Sequence, residues 1–166
     1  KLLRMITRFL KNWHELQRQT FPTIDGMFLL DDIVGFVGEA DFLEFGLPYL
    51  KELYASDVRV KFFHNDAECA KSIKYYPEIG INFYNPGIFN SLAELRQMSG
   101  NRLALLGNIP PRDVLARGTP EEVSQAVRKL LTENPDTSRW MLSCAGGMPP
   151  GVSTANLRAF LAAARA

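Results

Sequence analysis

The stretch VRVKFFHNDAECAKSIKYY, residues 58–76, decides how the chain is to be read. An apolar, strand-like run through Val60, Phe62 and Phe63 ends abruptly in His64, Asn65 and Asp66, and AECAKSIKYY follows with the spacing of a helix. Asn and Asp at such a place satisfy nearby backbone N–H groups in a turn. The alternative is that the three polar side chains stand at the mouth of a parallel barrel, where strand ends carry the chemistry.

The same order of run, polar end and helical segment recurs on both sides. MFLLDD (27–32) precedes ADFLEFGLPYLKELYA (40–55), and GINFYN (80–85) precedes SLAELRQMSG (91–100), where Ser91 and Glu94 form a capping box and Gly100 is the stop. LALLGN (103–108) leads through IPPRDVLARG to TPEEVSQAVRKLLTE (119–133), with Thr119 as N-cap, Pro120 at the first helical position and Glu122 three residues on. WMLSCAGG (140–147) precedes STANLRAFLAAARA. Before all of these, Leu2, Leu3, Ile6, Phe9, Leu10, Trp13 and Leu16 predict an amphipathic helix with one buried face.

Short, nearly all-apolar runs separated by helices predict an α/β protein whose parallel sheet is buried on both faces. All five runs end in polar residues or glycine: Asp31 and Asp32, His64 to Asp66, Asn85, Asn108, and Ser143 to Gly147. In a parallel sheet these ends share one rim, where α/β proteins place their sites. A closed barrel needs eight strands and about 250 residues. Either the sheet is open, or these are the C-terminal five strand–helix units of a (β/α)8 barrel whose first strands are supplied elsewhere. The absence of an initiating Met makes us expect that the chain begins within a longer protein.

With 166 residues and 46% hydrophobic content, a single domain over 1–166 is expected. Nineteen basic against eighteen acidic residues, without a basic block, argue against a nucleic-acid partner. No apolar run is long enough for a membrane span. Two cysteines are too few for a disulfide framework, so a reducing cytoplasm is the expected location. Residues 1–19 are basic and amphipathic like a transit peptide, but Trp13 and Glu15 favour an ordinary helix. His14 and Cys69 are expected to be structural.

The segments DDIVGFVGEADFLEFGLPYLKELY, FFHNDA, GINFYN, LALLGNIPPRDVLARGTPEEV and WMLSCAGGMPPGVSTANLRAFLAA, in this order, resemble the uroporphyrinogen decarboxylase superfamily. The likeness runs from about Ile24 to the C-terminus. It implies strands four to eight of a (β/α)8 barrel, and one of two activities. The first is methyl transfer from a corrinoid carried by a partner protein to a thiol or similar acceptor. The second is decarboxylation of uroporphyrinogen or a related carboxylated tetrapyrrole, which needs no cofactor. A third reading is a non-catalytic fragment or a subunit that needs a partner chain to complete the barrel.

Decarboxylases of the family resemble this chain but carry a Ser-bearing segment where Asp32 stands and a His where Gly146 stands. An added carboxylate would repel a polyanionic substrate. Thiol methyltransferases resemble it through a His-x-Cys after strand five and a further Cys on strand eight; here His64 matches, Asp66 replaces the first Cys, and Cys144 lies two residues before Gly146. Zinc accepts His, Asp and Cys together, so the resemblance implies a metal set of His64, Asp66 and Cys144. The expected catalytic residues are Asp32, His64 and Asp66, with Asn65, Asn85, Asn108, Gly146 and Gly147 binding a small-molecule substrate.

Overall fold

A computed structural model describes residues 1–165. Helix α1 (Leu2–Thr20) leads into strand β1 (Gly26–Leu30), and short helical turns that include α2 (Glu39–Asp41) lead into α3 (Leu47–Tyr54). The succession continues with β2 (Val60–Asn65), α4 (Tyr76–Ile79), β3 (Phe83–Pro86), α5 (Leu92–Met98), β4 (Ala104–Ile109), α6 (Pro120–Glu133), β5 (Trp140–Cys144) and α7 (Thr154–Ala163). The five strands form one sheet in the order β1-β2-β3-β4-β5, every pair parallel. That order never reverses, so the sheet is singly wound, as in an arc of a (β/α)8 barrel; a doubly wound open sheet would reverse at a switch point.

Two helix starts follow the sequence closely. The Ser91 hydroxyl accepts from the Glu94 N–H while the Glu94 carboxylate accepts from the Ser91 N–H, and Thr119 and Glu122 repeat the exchange with Pro120 at the first position of α6. Each cap satisfies donors that the first turn leaves orphaned. The helix expected over 67–76 is displaced. Residues 67–72 stay in loop and turns, and α4 begins only at Tyr76, with Pro77 in its first turn, where its missing N–H costs nothing.

Strand alternation divides the sheet into two faces. Met27, Phe63, Tyr84 and Leu105 turn to the helices and are buried there with Tyr54, Ile73, Tyr76 and Leu95. The rings of Phe63, Tyr76 and Tyr84 meet at 5.1 to 6.2 Å, two of the three contacts edge-to-face. A second patch of Ile109, Val127 and Ala163 seats β4 on α6 and α7. The opposite face carries Phe28, Phe62, Phe83 and Leu106, and the expectation of burial on both sides is corrected here: Phe28 is 54% exposed and Leu30 64% exposed.

Helix α1 also departs from expectation. Its Thr7, Leu10, His14 and Gln17 side faces the protein, fixed by Lys11 Nζ to Glu52 Oε1 at 3.0 Å and His14 Nε2 to Ser56 Oγ at 2.9 Å. The apolar stripe of Leu2, Ile6, Phe9, Trp13 and Leu16 is exposed. Cys69 is buried, and burial pushes its thiol up to about 11. Among the described residues no helix is long and apolar enough to cross a membrane.

Candidate active face at the strand ends

The inward positions of the strands bring His64, Asn85, Asn108 and Ser143 to one rim, because His64 pairs with Asn85 and Asn108 with Ser143 in the sheet register. His64 is 8% exposed, and its Nδ1 lies 2.8 Å from Asn85 Oδ1. Asn85 donates its amide Nδ2 to the Leu106 carbonyl at 2.6 Å. A carbonyl can only accept, so Nδ2 is the nitrogen and Oδ1 must accept from His64. The neutral imidazole therefore carries its proton on Nδ1, and Nε2 is left as the basic nitrogen. Nε2 stands 3.6 Å from Asp66 Oδ2. This is longer than a hydrogen bond, and it leaves an approach for a donor group.

Asp66 is held from several sides. Its N–H donates to Asp32 Oδ1 at 2.7 Å, which joins the loops after β1 and β2. Burial raises its carboxyl above the ordinary carboxylate range; His64 opposes this, the Asp32 charge adds to it, and Arg112 opposes it. Two glycines make room for the segment. A Cβ on Gly87 would lie 2.1 Å from the Asp66 carbonyl oxygen, and one on Gly146, whose φ is +64°, would lie 2.5 Å from both carboxylate oxygens. Loops after β1, β2, β3 and β5 thus converge on Asp66.

The adjacent acid has another task. Asp31 Oδ1 accepts from the Ile33 N–H at 3.0 Å and closes the turn after β1. Burial raises its carboxyl, against the N–H groups of Ile33 and Val34, and the Asp32 charge adds to the rise. A raised native pKa means that the folded chain holds its proton longer, so this group's contribution to stability falls as pH climbs from the ordinary carboxylate value through the raised one. Asp31→Asn keeps an acceptor oxygen and removes that penalty. Thermal unfolding should show a higher Tm for the variant at pH 7 and no gain at pH 3.

The other expected site residues divide. Asn85 positions the imidazole, with both ends of its amide engaged. Asn108 Nδ2 donates to the Asn90 carbonyl at 2.9 Å and orders the loop after β3. Gly147 is exposed with open space around it. Asn65 does not reach the mouth: it shares the helix-facing side with Phe63, is fully buried, accepts from the Ala67 N–H and donates to Tyr76 Oη at 3.4 Å. Cys144 is also corrected. It pairs with Ile109, which is packed against Val127 and Ala163 on the helix side, whereas the inward positions of β5 are Met141 and Ser143.

The implied zinc set is therefore not assembled by these residues. Among the described residues no three His, Cys, Asp or Glu side chains are grouped to hold a metal ion, and His64 and Asp66 lack a third ligand. Sequence reading missed Arg112, which follows β4 in PPRDV and acts on Asp66. An Arg just past a strand end was the available signal. It also missed Gly87, where the NPG triplet marked a tight turn but not the close backbone approach.

Comparison with known proteins agrees with this architecture. The family model described as uroporphyrinogen decarboxylase (URO-D) matches residues 1–166. The chain is 28% identical over 167 residues to a uroporphyrinogen decarboxylase of Chlorobaculum parvum, covering 95% of this chain and 46% of the relative. It is 27% identical over 124 residues to a methylated-thiol–coenzyme M methyltransferase of Methanosarcina mazei, covering 74% of this chain and 32% of that protein. A solved methyltransferase from Methanosarcina mazei shares the fold with a TM-score of 0.73 at 18% identity, over 86% of this chain and 42% of its own. The chain spans less than half the length of these relatives.

Proposed function

Because the chain belongs to the uroporphyrinogen decarboxylase family, we propose that its strand-end rim is the acceptor side of a methyl-transfer site, with His64 Nε2 as the base that takes the acceptor's proton. The observation that carries this reading is the fixed tautomer: Asn85 holds the Nδ1 proton and leaves Nε2 free toward the mouth. As the acceptor's X–H proton passes to Nε2, X is freed to form its bond to the methyl carbon. The Asp66 carboxylate, 3.6 Å away, then faces the imidazolium and stabilises it. A corrinoid brought by a partner protein would supply the methyl group as an electrophile, its cobalt–carbon bond breaking with the electron pair retained by the corrinoid as X takes the methyl. Among the described residues, His64 Nε2 is the basic nitrogen at the mouth, and this reading gives it the acceptor's proton.

A second reading is decarboxylation of a carboxylated tetrapyrrole, in which protonated His64 would give a proton to carbon. Arg112 beside Asp66 favours it, as a cation able to face a substrate carboxylate. Against it stand Asp32 and Asp66, joined at the same rim, which repel a polyanion.

The protein is to be incubated with methylcobalamin and a panel of small thiols, with cobalamin demethylation followed by visible absorbance. Binding of uroporphyrin is measured in parallel by fluorescence. Thiol-dependent demethylation above a protein-free control, without uroporphyrin binding, is the expected result. Uroporphyrin binding without demethylation would transfer the assignment to the second reading.

A further inference from the structure

We infer that the acceptor at this rim is a vicinal aminothiol, a small molecule whose thiol and ammonium stand on adjacent carbons, with the thiol on His64 Nε2 and the ammonium on the Asp66 carboxylate. The inference rests on the methyl-transfer reading of the rim and adds the charge and shape of the acceptor. Its first ground is a hydrogen-bond mismatch. The Asn85 contact keeps the imidazole proton on Nδ1, so Nε2 presents a lone pair. That lone pair faces Asp66 Oδ2 at 3.6 Å, a carboxylate oxygen that also only accepts. His64 is 8% exposed, yet among the described residues no donor lies within hydrogen-bond reach of Nε2. Two acceptors thus face each other, and a polar atom so buried without a donor is unfavourable.

A ligand that brings two separate donors resolves both atoms. One donor must be acidic enough to be given up, and the other must stay. The thiol is the first: its proton passes to Nε2, and its sulfur keeps the electron pair that takes the methyl carbon. The ammonium is the second, and it keeps its protons throughout. Because Nε2 and Oδ2 are only 3.6 Å apart, the two groups must be close neighbours in the ligand. Adjacent carbons bring a sulfur and a nitrogen to about that separation in the gauche rotamer.

Charge points to the same ligand. Besides His64, the groups that act on the Asp66 carboxyl are Asp32 and Arg112. Asp66 and Asp32 against Arg112 leave one negative charge in excess, which a single ammonium cancels and an acidic acceptor would increase. Burial raises the Asp66 carboxyl, so its neighbours do not offset the loss of water around it. Its own N–H is engaged by Asp32 Oδ1 at 2.7 Å, while among the described residues no N–H or O–H donates to its carboxylate oxygens. The side chain is half-exposed, which leaves those oxygens open to a ligand. An ammonium beside the sulfur also favours the thiolate, so the group that anchors the acceptor eases its deprotonation.

Three thiols of similar size separate the charges: 2-aminoethanethiol, 2-mercaptoethanol and mercaptoacetate. Binding of each to the full chain, with no methyl donor present, is measured by titration calorimetry at pH 7 and low salt. The aminothiol should bind about 10-fold more tightly than the alcohol, a modest Coulomb gain for a half-exposed carboxylate, and the acid should bind weakest. The preference should shrink in about 1 M salt, where exposed charges are screened. Asp66→Asn should abolish it. Asp32→Asn keeps an oxygen to accept the Asp66 N–H and should reduce the preference to roughly 3-fold. Equal affinities across the three, tightest binding of the acid, or binding by none of them would overturn the inference. Demethylation of methylcobalamin is followed with the same three thiols. Preference for the aminothiol in binding, with demethylation by none, would overturn the methyl-transfer reading and leave the cation site standing.

Discussion

Replacing His64 by alanine is expected to lower thiol-dependent demethylation of methylcobalamin by about 10²–10⁴-fold, the range that a positioned general base supplies. The size follows from how completely the imidazole is fixed. The Leu106 carbonyl takes a hydrogen bond from the Asn85 amide nitrogen and so fixes the other end as the oxygen, which can only accept from Nδ1. The imidazole is thus held in one orientation by the fold itself. His64→Gln tests the same point, since a glutamine can occupy the space and hydrogen-bond but cannot accept the proton at neutral pH. Both variants should lose activity alike, and steady-state rates measured beside circular dichroism would show it. Full activity in His64→Gln would remove the imidazole from the mechanism.

The second large effect concerns stability. Phe63→Ala should destabilise the fold by about 3–5 kcal/mol, the usual loss when a fully buried Phe is cut back to alanine. Phe63 is fully buried and its ring contacts Tyr54, Tyr76 and Tyr84 at 5.1 to 6.5 Å. Collapse cannot fill the void cheaply, because all three tyrosines are tied by their hydroxyls: Tyr54 donates to the Phe62 carbonyl at 2.8 Å, Tyr76 bonds Ser72 at 2.9 Å, and Tyr84 donates to the Asn65 carbonyl at 3.4 Å. Urea unfolding followed by tyrosine fluorescence gives the midpoint and slope that decide it. A loss under about 1 kcal/mol would mean that the aromatic cluster repacks.

The caps of α5 and α6 were legible because Ser91 with Glu94 and Thr119 with Glu122 are local signals, satisfied within four residues. Strand positions were legible to within a few residues for the same reason, since each run is bounded by a polar or glycine stop. What sequence could not phase was the face on which each side chain lies. WMLSC has no alternation of polar and apolar residues, so nothing within it says that Met141 and Ser143 face inward and Cys144 the helices. FFHND has the same ambiguity, and adjacent His64 and Asn65 end on opposite faces, one at the mouth and the other against Tyr76. The exposed face of the sheet and the stripe of α1 were unreadable for another reason. Apolar character is written in the sequence, but burial depends on what stands opposite the residue.

The division of β2 into alternate sides has a consequence for engineering. Positions 64, 85 and 143 address the mouth, while their immediate neighbours 63, 84 and 142 belong to the scaffold. A library randomised at the first set would vary chemistry on a constant framework, whereas one randomised at the second would return mostly unfolded chains. Inserting a single residue into β2 would exchange the two sets along that strand, placing an imidazole among the tyrosines and a phenyl ring at the mouth.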